Sequence, residues 1–124
     1  MLGSNDIIAF VPTTDFVKAR AFYEGVLGLR FVHEDGFALV LNANGVHVRV
    51  VKVKELAPAQ YTVLGWEVED IEKIARALRE RGVHFEIYGF FKQDELGIWT
   101  APGGAKVAWF KDPDGNVLSV SQHV

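Results

Sequence analysis

The sequence predicts an α+β chain made of two tandem βαβββ modules, and three observations carry that prediction. A strand-like apolar run followed by an aspartate and a helical stripe occurs twice, at Ile7–Val11 with Asp15 and at Tyr61–Val68 with Asp70. Each stripe stops at a glycine, Gly28 or Gly82, a residue suited to the left-handed termination of a helix. Each half then continues through β-patterned runs and a tight-turn pair, Asn44-Gly45 or Asp114-Gly115. An ordinary α+β domain whose halves merely rhyme is the alternative. Order, caps and turns all agree on the tandem reading.

In the first module, about 7–53, Asp15 caps a helix whose apolar stripe is Ala19, Phe22, Val26 and Leu27. Strands follow at Arg30–His33, Phe37–Leu41 and Val46–Val53. The linker spans about 54–60 and contains Leu56-Ala57-Pro58-Ala59-Gln60. In the second module, about 61–122, the stripe is Ile71, Ile74, Ala75 and Leu78. Strands are expected at Phe85–Tyr88, Ile98–Ala101, Ala105–Phe110 and Asn116–Ser121. Asp15 and Asp70 lie 55 apart (70 − 15) but Gly45 and Gly115 lie 70 apart (115 − 45), so the second half carries a longer loop between Tyr88 and Gly104.

Composition narrows the function. A chain of 124 residues with 49% apolar content is sized for one domain, 1–124, with a real core. It has no cysteine, which removes disulfides, thiolate metal sites and cysteine nucleophiles. The net charge of −3 offers no basic field for nucleic acid. Ile7–Val11 is too short for a membrane span and lacks the basic start of a signal peptide. A soluble cytoplasmic protein is the expectation. Gly103-Gly104-Ala105-Lys106 has neither the spacing nor the hydroxyl residue of a P-loop, and no Gly-x-Ser-x-Gly elbow occurs.

Two segments carry a family resemblance. Asp15-Phe16-Val17-Lys18-Ala19-Arg20-Ala21-Phe22-Tyr23-Glu24-Gly25-Val26-Leu27-Gly28-Leu29 resembles the first helix of the vicinal oxygen chelate superfamily, which includes glyoxalase I, bleomycin-resistance proteins and extradiol dioxygenases. Phe110-Lys111-Asp112-Pro113-Asp114-Gly115-Asn116 resembles its turn before the last strand. The resemblance implies a curved, cup-like mixed sheet with helices outside, and a homodimer. It also implies four inward-facing positions that hold a metal in metal-dependent members through His, Glu or Gln. By counting from the matched motifs these are Ile8, Arg49, Val63 and Ser119. Two of the four have no lone pair and one is a cation, so no metal and no other cofactor is expected.

Strand alternation maps the rest of such a cup. Ile8 and Phe10 face in together; so do His47 and Arg49, then Val63 and Glu67, then Ser119 and Ser121. Ile7, Ala9 and Val11, with Val46, Val48 and Val50, then pack behind them. Apolar walls with a few polar groups describe a small-molecule pocket. Arg49 admits two readings: a clamp for a carboxylate, phosphate or enolate oxygen, or an ion pair with Glu67. His47 is the candidate general base beside it, or a satisfied wall residue. Trp99 beside the long loop is placed to stack on a flat ligand, and Phe91 lies in the Phe90–Glu95 stretch that reads as a lid or a subunit contact. The facing of Trp99 and Trp109 stays open. The leading expectation is therefore a metal-independent binding protein for an apolar or aromatic, possibly anionic, small molecule. A lyase or isomerase using His47 and Arg49, or a metal-dependent glyoxalase- or dioxygenase-like enzyme, is the alternative.

Overall fold

A computed structural model describes residues 1–124. The chain divides into two compact units, Met1–Ala57 and Pro58–Val124. In the first, Thr13 ends β1 (Ile8–Thr13) and Asp15 opens α1 (Phe16–Arg20) by accepting from the Val17 and Lys18 amides at 2.9 and 3.1 Å. A π-helical stretch, Ala21–Val26, carries the chain to β2 (Arg30–Glu34), β3 (Ala38–Ala43) and β4 (Val46–Lys52). The sheet order is β1-β4-β3-β2, with β1 parallel to β4 and the other pairs antiparallel. Asn44 and Gly45 both take positive φ at the β3–β4 turn, as a two-residue hairpin turn requires.

The second unit repeats this plan. Its elements are β5 (Leu64–Glu67), α2 (Ile71–Glu80), β6 (Trp99–Thr100), β7 (Lys106–Lys111) and β8 (Val117–Gln122), in the order β5-β8-β7-β6. Again the first and last strands pair parallel. Asp70 caps α2 through the Lys73 amide, and the Gln122 side chain takes the Ile71 amide at 2.9 Å. No helix is long and apolar enough to cross a membrane.

In each unit the helix covers one sheet face. Val11, Val48 and Val50 are buried in the first; Ala108, Phe110, Leu118 and Val120 are buried in the second. Ile7 departs from the expected map: it precedes β1 and is exposed, so it packs behind nothing. Val46, at the turn end of β4, is also partly exposed.

Two local differences have physical causes. The first helix buries Ala19 and Tyr23 rather than Phe22, and the chain changes to i→i+5 bonding, with the Leu27 amide on the Phe22 carbonyl at 2.9 Å. Tyr23, four residues after Ala19, keeps the buried face, and Phe22 is left only partly buried. The expected strand at Phe85–Tyr88 does not form. Phe85 makes one bridge to Phe110, and the Glu86 amide donates to the Trp109 carbonyl at 2.8 Å. Beyond that point Gln93 replaces a strand partner. Its carbonyl accepts from the Tyr88 amide, and its amide nitrogen donates to the Glu86 and Gly97 carbonyls.

Candidate functional site

On the first sheet, the face opposite α1 brings together Ile8 with His47 and Phe10 with Arg49, each pair directly opposed across β1 and β4. Ile8 and Phe10 are 49% and 61% exposed, which agrees with the alternation expected from sequence. His47 is exposed at the same face.

Arg49 has a partner within its own unit. Its Nη2 donates to Asp35 Oδ2 at 2.9 Å, a contact delivered by the loop between β2 and β3. The other oxygen of Asp35 accepts from the Phe37 and Ala38 amides. The Arg49 hydrogen bond, followed by those two amides, lowers the Asp35 carboxyl to about 2 from an ordinary 3.8. A depressed folded-state value stabilises the fold above the unfolded value, and that contribution is lost as pH falls from about 4 through 2. Arg49→Met is expected to return the Asp35 titration toward 3.8 and shift the acid loss of that contribution upward. A carboxyl-carbon NMR titration reads this directly, and an unchanged Asp35 curve would rule the pair out.

Glu67 has its own partner. One oxygen takes the His123 ring Nδ1 at 2.6 Å and the Ser121 hydroxyl at 3.3 Å, while the other accepts the His123 amide at 2.8 Å. The His123 amide, then its ring, hold this carboxyl below its ordinary value. Only the fold brings His123 to Glu67, since no short motif links positions 67 and 123.

The second sheet resolves the tryptophans. Pairing places Gly65, Ser119 and Trp109 in one row, and Glu67, Ser121, Val107 and Trp99 in the next. Opposed residues share a face, so both indoles lie on the face opposite α2 with Ser119, Ser121 and Glu67. Val63 precedes β5, and its amide donates to the Val117 carbonyl. Gly65 keeps this face low, since a Cβ there would stand 3.0 Å from Ser119 Oγ.

Aromatic rings then gather on that face. Trp99 and Trp109 are 6.1 Å apart, and Phe91 lies parallel to Trp109 at 5.2 Å and 4.5 Å from Trp99. Tyr88 meets Trp109 edge-on at 5.5 Å. All four rings are only partly buried. The loop that brings Phe91 here is held at its base by Gln93 and by Asp94, whose carboxylate accepts from the Leu96 and Ile98 amides. Gly97 is confined there, with φ at +89° and a would-be Cβ only 2.8 Å from Phe85 Cβ.

The sequence profile of the Glyoxalase/Bleomycin resistance protein/Dioxygenase superfamily matches residues 6–120. The chain belongs to this superfamily. Several solved structures share its fold. One from Sphaerobacter thermophilus is 24% identical, with 97% of this chain and 98% of that one covered and a TM-score of 0.76. TnmS3, an antibiotic binding protein from Streptomyces sp. CB03234, is 23% identical over 98% and 97%, with a TM-score of 0.74. A lactoylglutathione lyase from Agrobacterium tumefaciens is 16% identical over 96% and 93%, also at 0.74. No curated protein matches significantly by sequence.

The four residues that counting from the motifs assigns to the superfamily's metal are a poor donor set. Ile8 and Val63 carry no donor atom, Ser119 is a weak neutral ligand, and Arg49 is a cation engaged by Asp35. Nor do three or more His, Asp or Glu side chains converge elsewhere.

Proposed function

We propose that this superfamily member is a small-molecule binding protein that takes a flat aromatic ligand on the open face of its second sheet, without a metal. The observation that carries this reading is the pair Trp99 and Trp109, side by side on that face and only partly buried, with Phe91 stacked across them. Aromatic rings stack offset or edge-on, and each such pair contributes about 0.5–1.5 kcal/mol beyond area burial. Phe91 occupies the place a ligand ring would take, so binding displaces it through the Tyr88–Phe91 turn, whose closing bond is the Phe91 amide on the Tyr88 carbonyl. The antibiotic-binding relative supports the same class of function.

Titration of metal-stripped protein with 2-naphthoate, read by tryptophan emission, tests it. Saturable quenching is expected, and Trp109→Leu should weaken binding about tenfold, or ~1.4 kcal/mol. Nickel, zinc, manganese, iron(II) and magnesium should leave thermal unfolding unmoved, whereas a metal held at a hundred times its dissociation constant would add about 2.7 kcal/mol. A saturable shift with one metal would sink the metal-free part. Affinity for naphthoate unaltered in both Trp99→Leu and Trp109→Leu would sink the rest.

A further inference from the structure

Along β7 the open face does not end at Trp109. Lys111 lies two residues further on the same face, opposite Val117 of β8, at a strand distance of about 6.8 Å. There a pocket of about 350 Å³ opens, lined by Lys111, Tyr88, Val117, Gly115, Gln60 and the Pro58-Ala59 linker. Its size is in the range of ligand sites, and Val117 supplies an apolar floor. Gly115, at φ +87°, brings the turn against Pro58: a Cβ there would be 3.3 Å from the proline ring. The wall therefore joins the linker to the turn before β8. Lys111 is the one charged side chain among the lining residues.

From this arrangement we propose that the pocket is an anion subsite, in which Lys111 receives the carboxylate of an aromatic acid whose ring lies on Trp109. The proposal rests on the aromatic-platform reading above and names its substrate class. Tyr88 joins platform to pocket, since it meets Trp109 edge-on and also lines the cavity. Burial and the nearby Glu86 carboxylate raise the Tyr88 hydroxyl above its ordinary value, against a smaller opposite effect of Lys111. The phenol stays protonated and acts as a second donor. The Gln60 amide is a third. Without ligand, Lys111 Nζ lies 3.4 Å from Glu86 Oε1, with the two side chains 48% and 31% exposed. Such a pair is weak and screened, so an incoming carboxylate replaces it readily. Glu86 does not line the cavity, so its carboxylate offsets the ammonium charge from outside and leaves Lys111 as the charged group a ligand meets.

The test compares 2-naphthoate with its neutral isostere 2-naphthamide on the full chain, again by tryptophan emission. Wild-type protein is expected to prefer the acid at least fivefold. Lys111→Met should abolish that preference, with affinity for the acid falling far more than affinity for the amide. Lys111→Arg should retain it, and Glu86→Gln should strengthen acid binding. Equal binding of the two probes by wild-type protein, or a preference that survives Lys111→Met, overturns the anion subsite and leaves the platform standing. Failure of both probes to quench overturns platform and subsite together.

Discussion

Asp112→Ala is expected to lower stability by about 3 kcal/mol, because three hydrogen bonds to a buried carboxylate vanish together. One oxygen of Asp112 accepts from the Asp114 and Asn116 amides at 2.9 Å, and the other from the Asn116 side-chain amide at 2.8 Å. Both residues are nearly inaccessible, at 6% and 2% exposure, so water replaces these contacts poorly. The Asp112 amide and Asn116 carbonyl close the same turn at 3.0 Å. A melting temperature lower by on the order of 10 °C follows for a chain of this size. Asp112→Asn keeps acceptor capacity and should lose less. A melt of the alanine variant within about 2 °C of wild type would mean that the turn is held by something else. The consequence reaches the pocket, since this turn sets Gly115 against Pro58.

Tyr23→Ala should destabilise by about 4 kcal/mol, and Phe22→Ala by much less. Tyr23 is the largest side chain with no exposure at all, and Phe22, its edge-on neighbour at 5.3 Å, is only partly buried. Regular α-helical spacing from Ala19 would put Phe22 at three and Tyr23 at four residues on, with both near the core. Tyr23 keeps the buried face. Urea unfolding of the two variants separates these outcomes, and comparable losses would contradict that difference in burial.

Much of the fold was legible because its signals are local. Asp15 and Asp70 cap their helices through amides two or three residues away, and Asn44-Gly45 turns β3 into β4 without outside help. Alternation correctly set Ile8 and Phe10 on the face with His47 and Arg49, because β1 and β4 pair without a bulge. The site was less legible because its contacts are long-range. Arg49 meets Asp35 only after the β2–β3 loop returns over the sheet, and Glu67 meets His123 across 56 residues of sequence. The facing of Trp109 needed the register of β7 on β8, which no short motif announces. Phe85–Tyr88 looked like a strand by its residues, but Gln93 competes for the backbone groups a ladder would use.

The long loop of the second half bears on how such a site arises. Ile8 and His47 pair across 39 residues (47 − 8), while Gly65 and Ser119 pair across 54 (119 − 65). Closing the longer span costs only about 0.3 kcal/mol more in chain entropy, because closure scales with the logarithm of length. A duplicated module can therefore accept fifteen or so extra residues between its helix and its hairpin at almost no thermodynamic penalty. In one copy that extension delivers Tyr88 and Phe91 to the sheet, while the other copy stays short. Divergence of binding between the two halves of such a protein needs no change in their shared scaffold, and length variation at this one connection is the natural route to new ligand preferences.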